Sequence, residues 1–384
     1  MKIPFDRPTM TGNEMRYVED VNAKGIHIGQ GEYTRKCERW IAERYAGARI
    51  EMTFSGTTAL EAACSLLGLA AGDEVILPAY GFPSCVNAVI RAGGVPVLAD
   101  IELETGGLSP DSVQACLTTR TRAIMCIHYA GIPCRVRDLR RIADDHKLVL
   151  IEDAAQAFLS HHHGRMLGSW GNLSTLSFNS KKTIHCGQGG AIVINDVAYH
   201  DRADVLRDRG TNRVQFLAGS VSEYSWQAPG TSFSPSELNM AFLFAQLEAA
   251  DGIVRRTREI FFRYAAALSP LASAGLCVLP GIAENQGHNG SLFYLLVANI
   301  GERDALIAYL SQSEITAQFH FVPLHLGEGS KYTKISTVPR QSQIFYERLV
   351  RLPLFHAMSD AEVDRVSARV LQFFAERAAN IKKS

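Results

Sequence analysis

Short apolar segments alternate with longer amphipathic segments through the first half of this chain. Strand patterns are predicted at 50–54, 74–77, 95–99, 123–127, 148–152, 173–178 and 191–194. Helical patterns lie between several of them, at 57–69, 85–91, 110–117 and 139–146. Because parallel strands are joined by helical crossovers, the alternation predicts an α/β fold. We expect one large, mostly parallel seven-stranded sheet that is covered by helices on both faces.

The second half of the chain has a different pattern. Ser234, Pro235, Ser236 and Glu237 match a helix start, and a long helical pattern follows over 238–268, interrupted near Gly252. Further strand patterns lie at 292–300 and 315–321, and further helical patterns at 303–312, 341–351 and 359–379. We therefore expect two domains, a large one over 1–250 and a small C-terminal α+β domain over 251–384.

Composition excludes several classes of partner. The chain has 39 Lys and Arg against 39 Asp and Glu, whereas nucleic-acid binding usually requires a basic excess. The sequence contains neither an 18-residue apolar run nor the apolar core of a signal peptide, so a cytoplasmic protein without a membrane partner is expected. None of the eight cysteines forms a Cys-x-x-Cys pair, which predicts reduced thiols and no metal site.

Polar residues follow two of the predicted strands. Gly56, Thr57 and Thr58 open a helix, and the N–H groups of a helix N-terminus can hold a phosphate. A plain turn capped by Ser or Thr is the alternative. Asp153 stands at a strand end, where ligands bind in open α/β sheets. Its carboxylate is suited to a cationic ring nitrogen, or alternatively to capping a helix.

A pair of lysines, Lys181 and Lys182, lies just beyond the strand pattern 173–178 and before a glycine-rich turn at 187–190. Most lysines are solvated surface groups. A lysine that is drawn into a cleft has a lowered pKa and can attack a carbonyl group. The setting therefore makes this pair a candidate nucleophile.

Taken together, these stretches resemble the pyridoxal-phosphate (PLP) dependent sugar-nucleotide aminotransferases of the DegT/StrS group. The likeness extends over nearly the whole chain, and the group has the aspartate-aminotransferase fold, PLP fold type I. The likeness is carried by Ser55-Gly56-Thr57, the run 78–82, Glu152-Asp153-Ala154-Ala155-Gln156, Ser177 with Lys182 five residues beyond it, and Gly187-Gln188-Gly189-Gly190.

The resemblance implies a role for each matching residue. Lys182 would hold the cofactor covalently and move a proton during catalysis, and Asp153 would keep the pyridine nitrogen protonated. Phe82 would stack on the ring and Gln156 would contact its 3-oxygen. The remaining cofactor contacts are implied at Gly56, Thr57, Thr58 and Ser177.

Within the group, the stretches 128–131, 210–216, 224–226, 245–251 and 319–325 resemble transaminases that act on C4 of a dTDP-4-keto-6-deoxyhexose. The implied amino donor is L-glutamate and the product dTDP-4-amino-4,6-dideoxygalactose, a sugar of lipopolysaccharide and enterobacterial common antigen. A homodimer with its site at the interface is implied. Substrate contacts are implied at His128, Tyr129, Arg213, Tyr224, His320 and His325.

Several alternatives stay open at this level. The enzyme could give the gluco epimer or act at C3, and a sugar dehydratase or a non-catalytic sensor could keep the same fold. Dehydrating members have histidine at the position of Lys182, which disfavours that function here.

Two residues depart from the pattern of the family: Gln188 and Ser232 stand where many members carry Glu and Asn. The run His161-His162-His163 is expected in an exposed turn. It is not expected to bind a metal, because adjacent side chains on a strand point to opposite faces.

Overall fold

A computed structural model describes residues 2–282 and 286–381. The strands are β1 (Arg49–Thr53), β2 (Glu74–Pro78), β3 (Val95–Ala99), β4 (Thr121–Ile127), β5 (Val149–Asp153), β6 (His161–His162), β7 (Arg165–Met166), β8 (Leu173–Ser177), β9 (Gly190–Ile194), β10 (Gln286–Gly287), β11 (Phe293–Leu296), β12 (Lys334–Ile335) and β13 (Leu349–Leu352). The α-helices are α1 (Glu14–Lys24), α2 (Glu32–Arg44), α3 (Gly56–Leu67), α4 (Ser84–Arg91), α5 (Pro110–Cys116), α6 (Val136–Asp145), α7 (His200–Arg207), α8 (Arg213–Leu217), α9 (Glu237–Glu248), α10 (Ala250–Ser273), α11 (Ile300–Gln312), α12 (Arg340–Arg348) and α13 (Asp360–Ile381).

The large sheet confirms the predicted α/β class. Its strand order is β1-β9-β8-β5-β4-β2-β3-β12. The strand β9 runs antiparallel to both of its neighbours, and the other neighbouring pairs are parallel. All seven predicted strands belong to this sheet. An eighth strand, β12, was not predicted, because two residues are too few to show a period.

Helices cover both faces of the sheet, and alternate residues of β4 show why. Met125 and Ile127 pack in one core with residues of α3 and α4. Ile124 and Cys126 pack in the opposite core with residues of α5 and α6. Successive side chains of a strand point to opposite faces, so the odd-numbered and the even-numbered residues of β4 pack on different faces of the sheet.

The C-terminal part has its own core, built from α10, α11, α13 and the antiparallel pair β11–β13. Ile3, from the N-terminal part of the chain, packs into this C-terminal core, and β12, from the C-terminal part, joins the large sheet. Both contacts cross the predicted domain boundary at residue 250, and that boundary stays a prediction. The expected strand at 315–321 was wrong, because that segment forms only single bridges, at Ile315 and Gln318. The helix predicted over 341–351 ends earlier, and β13 begins at Leu349.

Three local predictions also need correction. The long helix over 238–268 is broken at Ala249, rather than near Gly252, and its N-cap is Ser236. His161 and His162 lie half-buried in β6, paired with β7 and β10, and only His163 lies in the expected exposed turn. Of the helices within 2–282 and 286–381, none combines the length and hydropathy that a bilayer crossing requires.

Candidate active site

Three parallel strands end at one cavity of about 550 Å³. β1, β5 and β8 run in the same direction, so their carboxyl ends bring Gly56, Asp153 and Ser177 to the same edge of the sheet. This volume suits a small-molecule ligand. The cavity is lined by eight of the predicted site residues, Gly56, Thr57, Phe82, Asp153, Gln156, Ser177, Lys182 and His320.

Lys182 lies half-buried in this cavity on a turn, where its backbone N–H donates to the carbonyl of Asn179 over 2.8 Å. Burial lowers the pKa of its ammonium group to about 8. Asp153 acts in the opposite direction, and the positive charge of Arg351 lowers the pKa further. The neighbouring Lys181 is exposed. Lys182 is therefore the lysine of this pair whose environment increases the fraction of free amine near neutral pH.

Asp153 is a buried carboxylate at the end of β5, 7% exposed. Its Oδ1 accepts a hydrogen bond from the Ala155 N–H over 2.9 Å, and its Oδ2 accepts one from the Cys85 thiol over 3.3 Å. Asp153 caps a turn rather than a helix. It makes no ion pair with any residue that the structure describes, so its negative charge is available to a cationic ligand in the cavity.

The loop between β1 and α3 and the end of β8 form a cradle of small residues. A Cβ atom on Gly56 would lie 2.8 Å from Cβ of Ser177, so only glycine fits there. The Thr57 hydroxyl is 2.7 Å from the Ser84 hydroxyl. The helix α3 begins at Gly56, and the N-terminus of a helix is suited to binding an anion.

Thr58 was predicted at the cofactor, but the structure uses its side chain elsewhere. Its Oγ1 accepts from the Ser55 N–H over 2.9 Å, while its own N–H donates to the Ser55 hydroxyl over 3.2 Å. This reciprocal pair is a capping box at the N-terminus of α3. Thr58 does not line the cavity, so we correct its role to one of shaping the loop.

Phe82 and Gln156 bring an aromatic face and an amide to the cavity. Phe82 is 56% exposed, and its ring centroid lies 5.7 Å from that of Phe321. The Gln156 Oε1 accepts from the Ala130 N–H over 2.7 Å. This bond uses the amide oxygen, so the NH₂ end is the one left for a ligand.

His320 lines the cavity, and Tyr129 lies behind it. The Tyr129 hydroxyl is 2.8 Å from Nδ1 of His320, and the Tyr80 hydroxyl donates to the His320 carbonyl over 2.9 Å. Burial, with Arg351 and Lys182 adding to its effect, holds the pKa of His320 well below its usual range. The imidazole is therefore neutral at pH 7. Tyr129 does not reach the cavity, so its predicted substrate contact is corrected to orienting His320.

His128 was predicted at the substrate, and this prediction was wrong. It is completely buried, and its Nε2 lies 2.8 Å from Oε2 of Glu152. Glu152 precedes Asp153 in β5 and therefore faces the other side of the sheet. One ring nitrogen of His128 and the sulfurs of Cys126 and Cys134 lie within 4.8 Å of one another, a grouping that the sequence spacing did not reveal.

Three other predicted substrate residues lie outside the cavity. His325 is half-buried in a turn, and neither ring nitrogen has a hydrogen-bond partner among the residues that the structure describes. Arg213 begins α8 and is exposed, 3.9 Å from a carboxylate oxygen of Asp208. Tyr224 is 52% exposed in the loop after α8. Within this one chain, none of them meets Lys182.

One cavity residue was missed from the sequence. Arg351 lies in β13 between Val350 and Leu352, which are both buried. A lone arginine inside an apolar strand was the available signal, because charged residues are rarely buried without a partner. The sequence pattern instead predicts residues 349–351 as the end of a helix.

The side chains present fit PLP. A lysine amine of lowered pKa suits its aldehyde, the unpaired carboxylate of Asp153 suits a protonated pyridine nitrogen, and the Gly56–Ser177 cradle suits its phosphate. The loop before α3 packs directly on the end of β8, since a Cβ atom at position 56 would lie 2.8 Å from Cβ of Ser177.

Comparison with known proteins agrees with this chemistry. The profile of the DegT/DnrJ/EryC1/StrS aminotransferase family matches residues 8–371. The GDP-perosamine synthase of Escherichia coli O157:H7 is 29% identical over 385 residues, covering 98% of this chain and 99% of that protein.

Solved structures share the fold. The aminotransferase TlmJ from Streptoalloteichus hindustanus has a TM-score of 0.89 and 27% identity, covering 98% of this chain and 100% of that one. Spr1654 from Streptococcus pneumoniae, in its PMP form, has a TM-score of 0.90 and 23% identity, with 100% of both chains covered.

Proposed function

This chain belongs to the DegT/DnrJ/EryC1/StrS aminotransferase family, and we propose that it transfers an amino group from L-glutamate to C4 of a nucleotide-linked 4-keto-6-deoxyhexose. It is a PLP-dependent sugar aminotransferase. The observation that carries the proposal is Lys182, which shares a cavity with the unpaired carboxylate of Asp153.

We propose that the cavity residues divide the work as follows. Lys182 carries PLP and moves the proton at the carbon that bears the transferred nitrogen. When bound, PLP supplies the electron sink for that proton transfer. Asp153 holds the ring nitrogen protonated, Gln156 donates to the 3-oxygen, and Phe82 covers the ring. Gly56, Thr57 and Ser177 hold the phosphate.

The presence of both Lys182 and Asp153 argues against a dehydratase and against a non-catalytic sensor. A dehydratase of this family would need histidine in place of the lysine, and a sensor has no need of a lysine with a lowered pKa. The neutral imidazole of His320 adds a hydrogen-bond donor or acceptor near Lys182, which suits a sugar oxygen.

Two nucleotide sugars are candidates for the acceptor. The first is a dTDP-4-keto-6-deoxyhexose that gives the galacto-configured 4-amine, and it is supported by the likeness at 210–216, 224–226 and 245–251. The second is a GDP-linked sugar, and it is supported by the relative named GDP-perosamine synthase. C4 stereochemistry depends on which face of the sugar meets the cofactor.

We further propose a cytoplasmic homodimer whose partner supplies Arg213 and Tyr224 to the sugar-nucleotide site. Arg213 has the planar donor fork that suits a diphosphate. The segment that carries both residues exposes Leu217 and Trp226, 69% and 73% respectively. Exposed apolar side chains of this kind are typical of a surface that packs on another chain.

The test uses both nucleotides in matched reactions. The purified enzyme, loaded with PLP, is incubated with L-glutamate and either dTDP-4-keto-6-deoxyglucose or its GDP-linked counterpart, and the sugar is examined by NMR. An amine at C4 of either sugar supports the proposed reaction, and the ratio of kcat/KM values selects the nucleotide. Amination at C3, or loss of a hydroxyl group without amination, would overturn it.

A further inference from the structure

Three side chains that bind soft metal ions meet inside the large domain, away from the cavity. They are Cys126 in β4, His128 just beyond β4, and Cys134 in the segment that leads into α6. Their ligand atoms, two sulfurs and one ring nitrogen, lie within 4.8 Å of one another. Each residue is at most 2% exposed. The three groups are therefore close enough to hold one ion and are shielded from water.

The register of the sheet puts this cluster directly behind the cavity. Cys126 pairs with Glu152 across β4 and β5, and the next pair along the strands is Ile127 with Asp153. Ile127 and Asp153 line the cavity, so Cys126 and Glu152 point to the other face of the sheet. The His128 N–H donates to the Asp153 carbonyl over 3.1 Å. The cluster is thus attached to the same strand ends that place Asp153.

Glu152 orients the imidazole of His128 and is itself fully engaged. Its Oε2 lies 2.8 Å from Nε2 of His128. The Gly168 N–H donates to Oε2 over 2.8 Å, and the Gly171 N–H donates to Oε1 over 2.6 Å. Histidines that bind a metal commonly donate their other ring N–H to a carboxylate in this way. Glu152 therefore acts as the partner of a ligand and is not counted as a ligand.

The other ring nitrogen of His128 faces the cysteines. Nδ1 accepts a hydrogen bond from the Cys134 backbone N–H over 3.3 Å, which places the proton of the neutral imidazole on Nε2. A bond of this length is at the long end for N–H groups, and a metal ion on Nδ1 would replace it. Nδ1 is thus the ligand atom that His128 offers.

We propose that Cys126, His128 and Cys134 bind one thiophilic d10 metal ion, either Zn(II) or Cu(I). Thiolates and imidazole select these ions, whereas Mg(II) and Ca(II) prefer oxygen. With metal–sulfur bonds of about 2.3 Å and metal–nitrogen bonds of about 2.0 Å, neighbouring ligand atoms lie about 3.5–4 Å apart. Starting from separations of up to 4.8 Å, each side chain needs to move by less than about 1 Å.

Charge and ligand number favour different ions. Both thiols release a proton when the ion binds. Zn(II) with two thiolates is neutral, which suits a buried site beside the carboxylate of Glu152. Cu(I) leaves one negative charge but accepts a trigonal set of ligands, whereas structural zinc usually takes four. With either ion, the bridge from β4 to the segment before α6 holds the strand ends behind Asp153.

The main test counts metal ions in the PLP-loaded protein. The protein is purified under nitrogen with a reductant, from cells supplied with zinc and from cells supplied with copper, and is analysed by mass spectrometry for both metals. We expect about one ion per chain in at least one preparation, and less than about a tenth of that in Cys126→Ser and in Cys134→Ser. Cys64→Ser is the matched control, because Cys64 is equally buried but lies outside the cluster, and it should keep the ion.

X-ray absorption of the wild type keeps the inference testable even where a variant fails to fold. The bound ion should have sulfur neighbours at about 2.3 Å and a nitrogen neighbour at about 2.0 Å, and the absorption edge identifies the metal. Absence of both metals from both preparations would overturn the inference. So would an ion that folded cysteine variants retain, or one with only oxygen and nitrogen neighbours. None of these results bears on the proposed transamination, since the three ligands lie outside the cavity.

Discussion

The hydroxyl group of Tyr129 lies 2.8 Å from Nδ1 of His320, which connects the buried aromatic core to the wall of the cavity. Tyr129 is 1% exposed and packs edge-on against Tyr80 and Phe345. These neighbours fix the position of its hydroxyl group. When that hydroxyl donates to Nδ1, the neutral imidazole carries its proton on Nε2.

Tyr129→Phe should therefore disturb His320 without disturbing the cofactor. We expect KM for the sugar nucleotide to rise about three- to tenfold, the effect of one lost hydrogen bond of about 1 kcal/mol. PLP affinity and the glutamate half-reaction should stay near wild type. Steady-state kinetics in each substrate measures the split. Tyr294→Phe, in the same aromatic cluster, is the control, and an equal effect from it would show general loosening of the core instead.

The adjacent lysines give a second, internally matched test. Sodium borohydride reduction of the PLP-loaded protein, followed by peptide mass mapping, should place the cofactor on Lys182. Lys182→Ala should lose more than 99% of turnover, because it removes the group that moves the proton, at a cost of about 10²-fold or more. Lys181→Ala should retain near-normal turnover, since that side chain is exposed. A reduced adduct on Lys181 would contradict the proposed roles.

Gly56→Ala should weaken PLP binding by displacing the loop before α3 from the end of β8. The new Cβ would lie 2.8 Å from Cβ of Ser177, so either the methyl group or the strand end must move. We expect the Kd for PLP to rise at least tenfold, and overpacking to cost about 1–3 kcal/mol of stability. Gly252→Ala is the matched control, because its Cβ would meet no atom closer than 3.9 Å. Unchanged PLP affinity in Gly56→Ala would place the phosphate elsewhere.

The large sheet could be predicted because its strands are buried on both faces and carry a strong apolar signal. β2 and β3 show this, since nearly all of their side chains are buried. The second half was predicted less well. Leu349 and Val350 extend the pattern of α12, and nothing local marks the change from helix to strand that places Arg351 in the cavity. The strand β13 forms because residues 349–352 pair with β11, which lies more than 50 residues earlier in the chain.

Most residues predicted for the cofactor line one cavity, whereas most residues predicted for the substrate do not, and the difference has a physical reason. Gly56, Asp153 and Ser177 follow strands directly, so the sheet alone places them together. Thr58 and His128 each follow a residue that lines the cavity. His128 continues from strand β4, where successive side chains point to opposite sides, and the Thr58 side chain turns back to cap α3. Residues next to cavity-lining positions are therefore one place where motif-based prediction fails.

Asp153→Asn should bind PLP and transaminate poorly. Asparagine keeps the shape and can still accept from the Ala155 N–H, a bond that the structure shows at 2.9 Å. Its neutral amide, however, cannot stabilise a protonated pyridine ring. We expect kcat to fall at least 10²-fold in both half-reactions, while the Kd for PLP rises by about tenfold. Equilibrium dialysis and single-turnover kinetics measure the two effects, and near-normal turnover would remove Asp153 from the proposed mechanism.

The lowered pKa of Lys182 predicts a pH profile that can be measured without catalysis. In the protein stripped of PLP, the neutral amine is the reactive form, so labelling of Lys182 by acetic anhydride should rise with pH around a midpoint of about 8. An ordinary lysine titrates at 10.5. Arg351→Gln removes a positive charge and should move the midpoint up. Asp153→Asn removes the negative charge that favours the ammonium form and should move the midpoint down.

Mass mapping of the labelled peptides at each pH gives the Lys182 midpoint in the wild type and in both variants, with exposed Lys181 as the reference in the same digest. A Lys182 midpoint near 10.5, or one that neither variant moves, would show that burial and these two charges do not tune this amine.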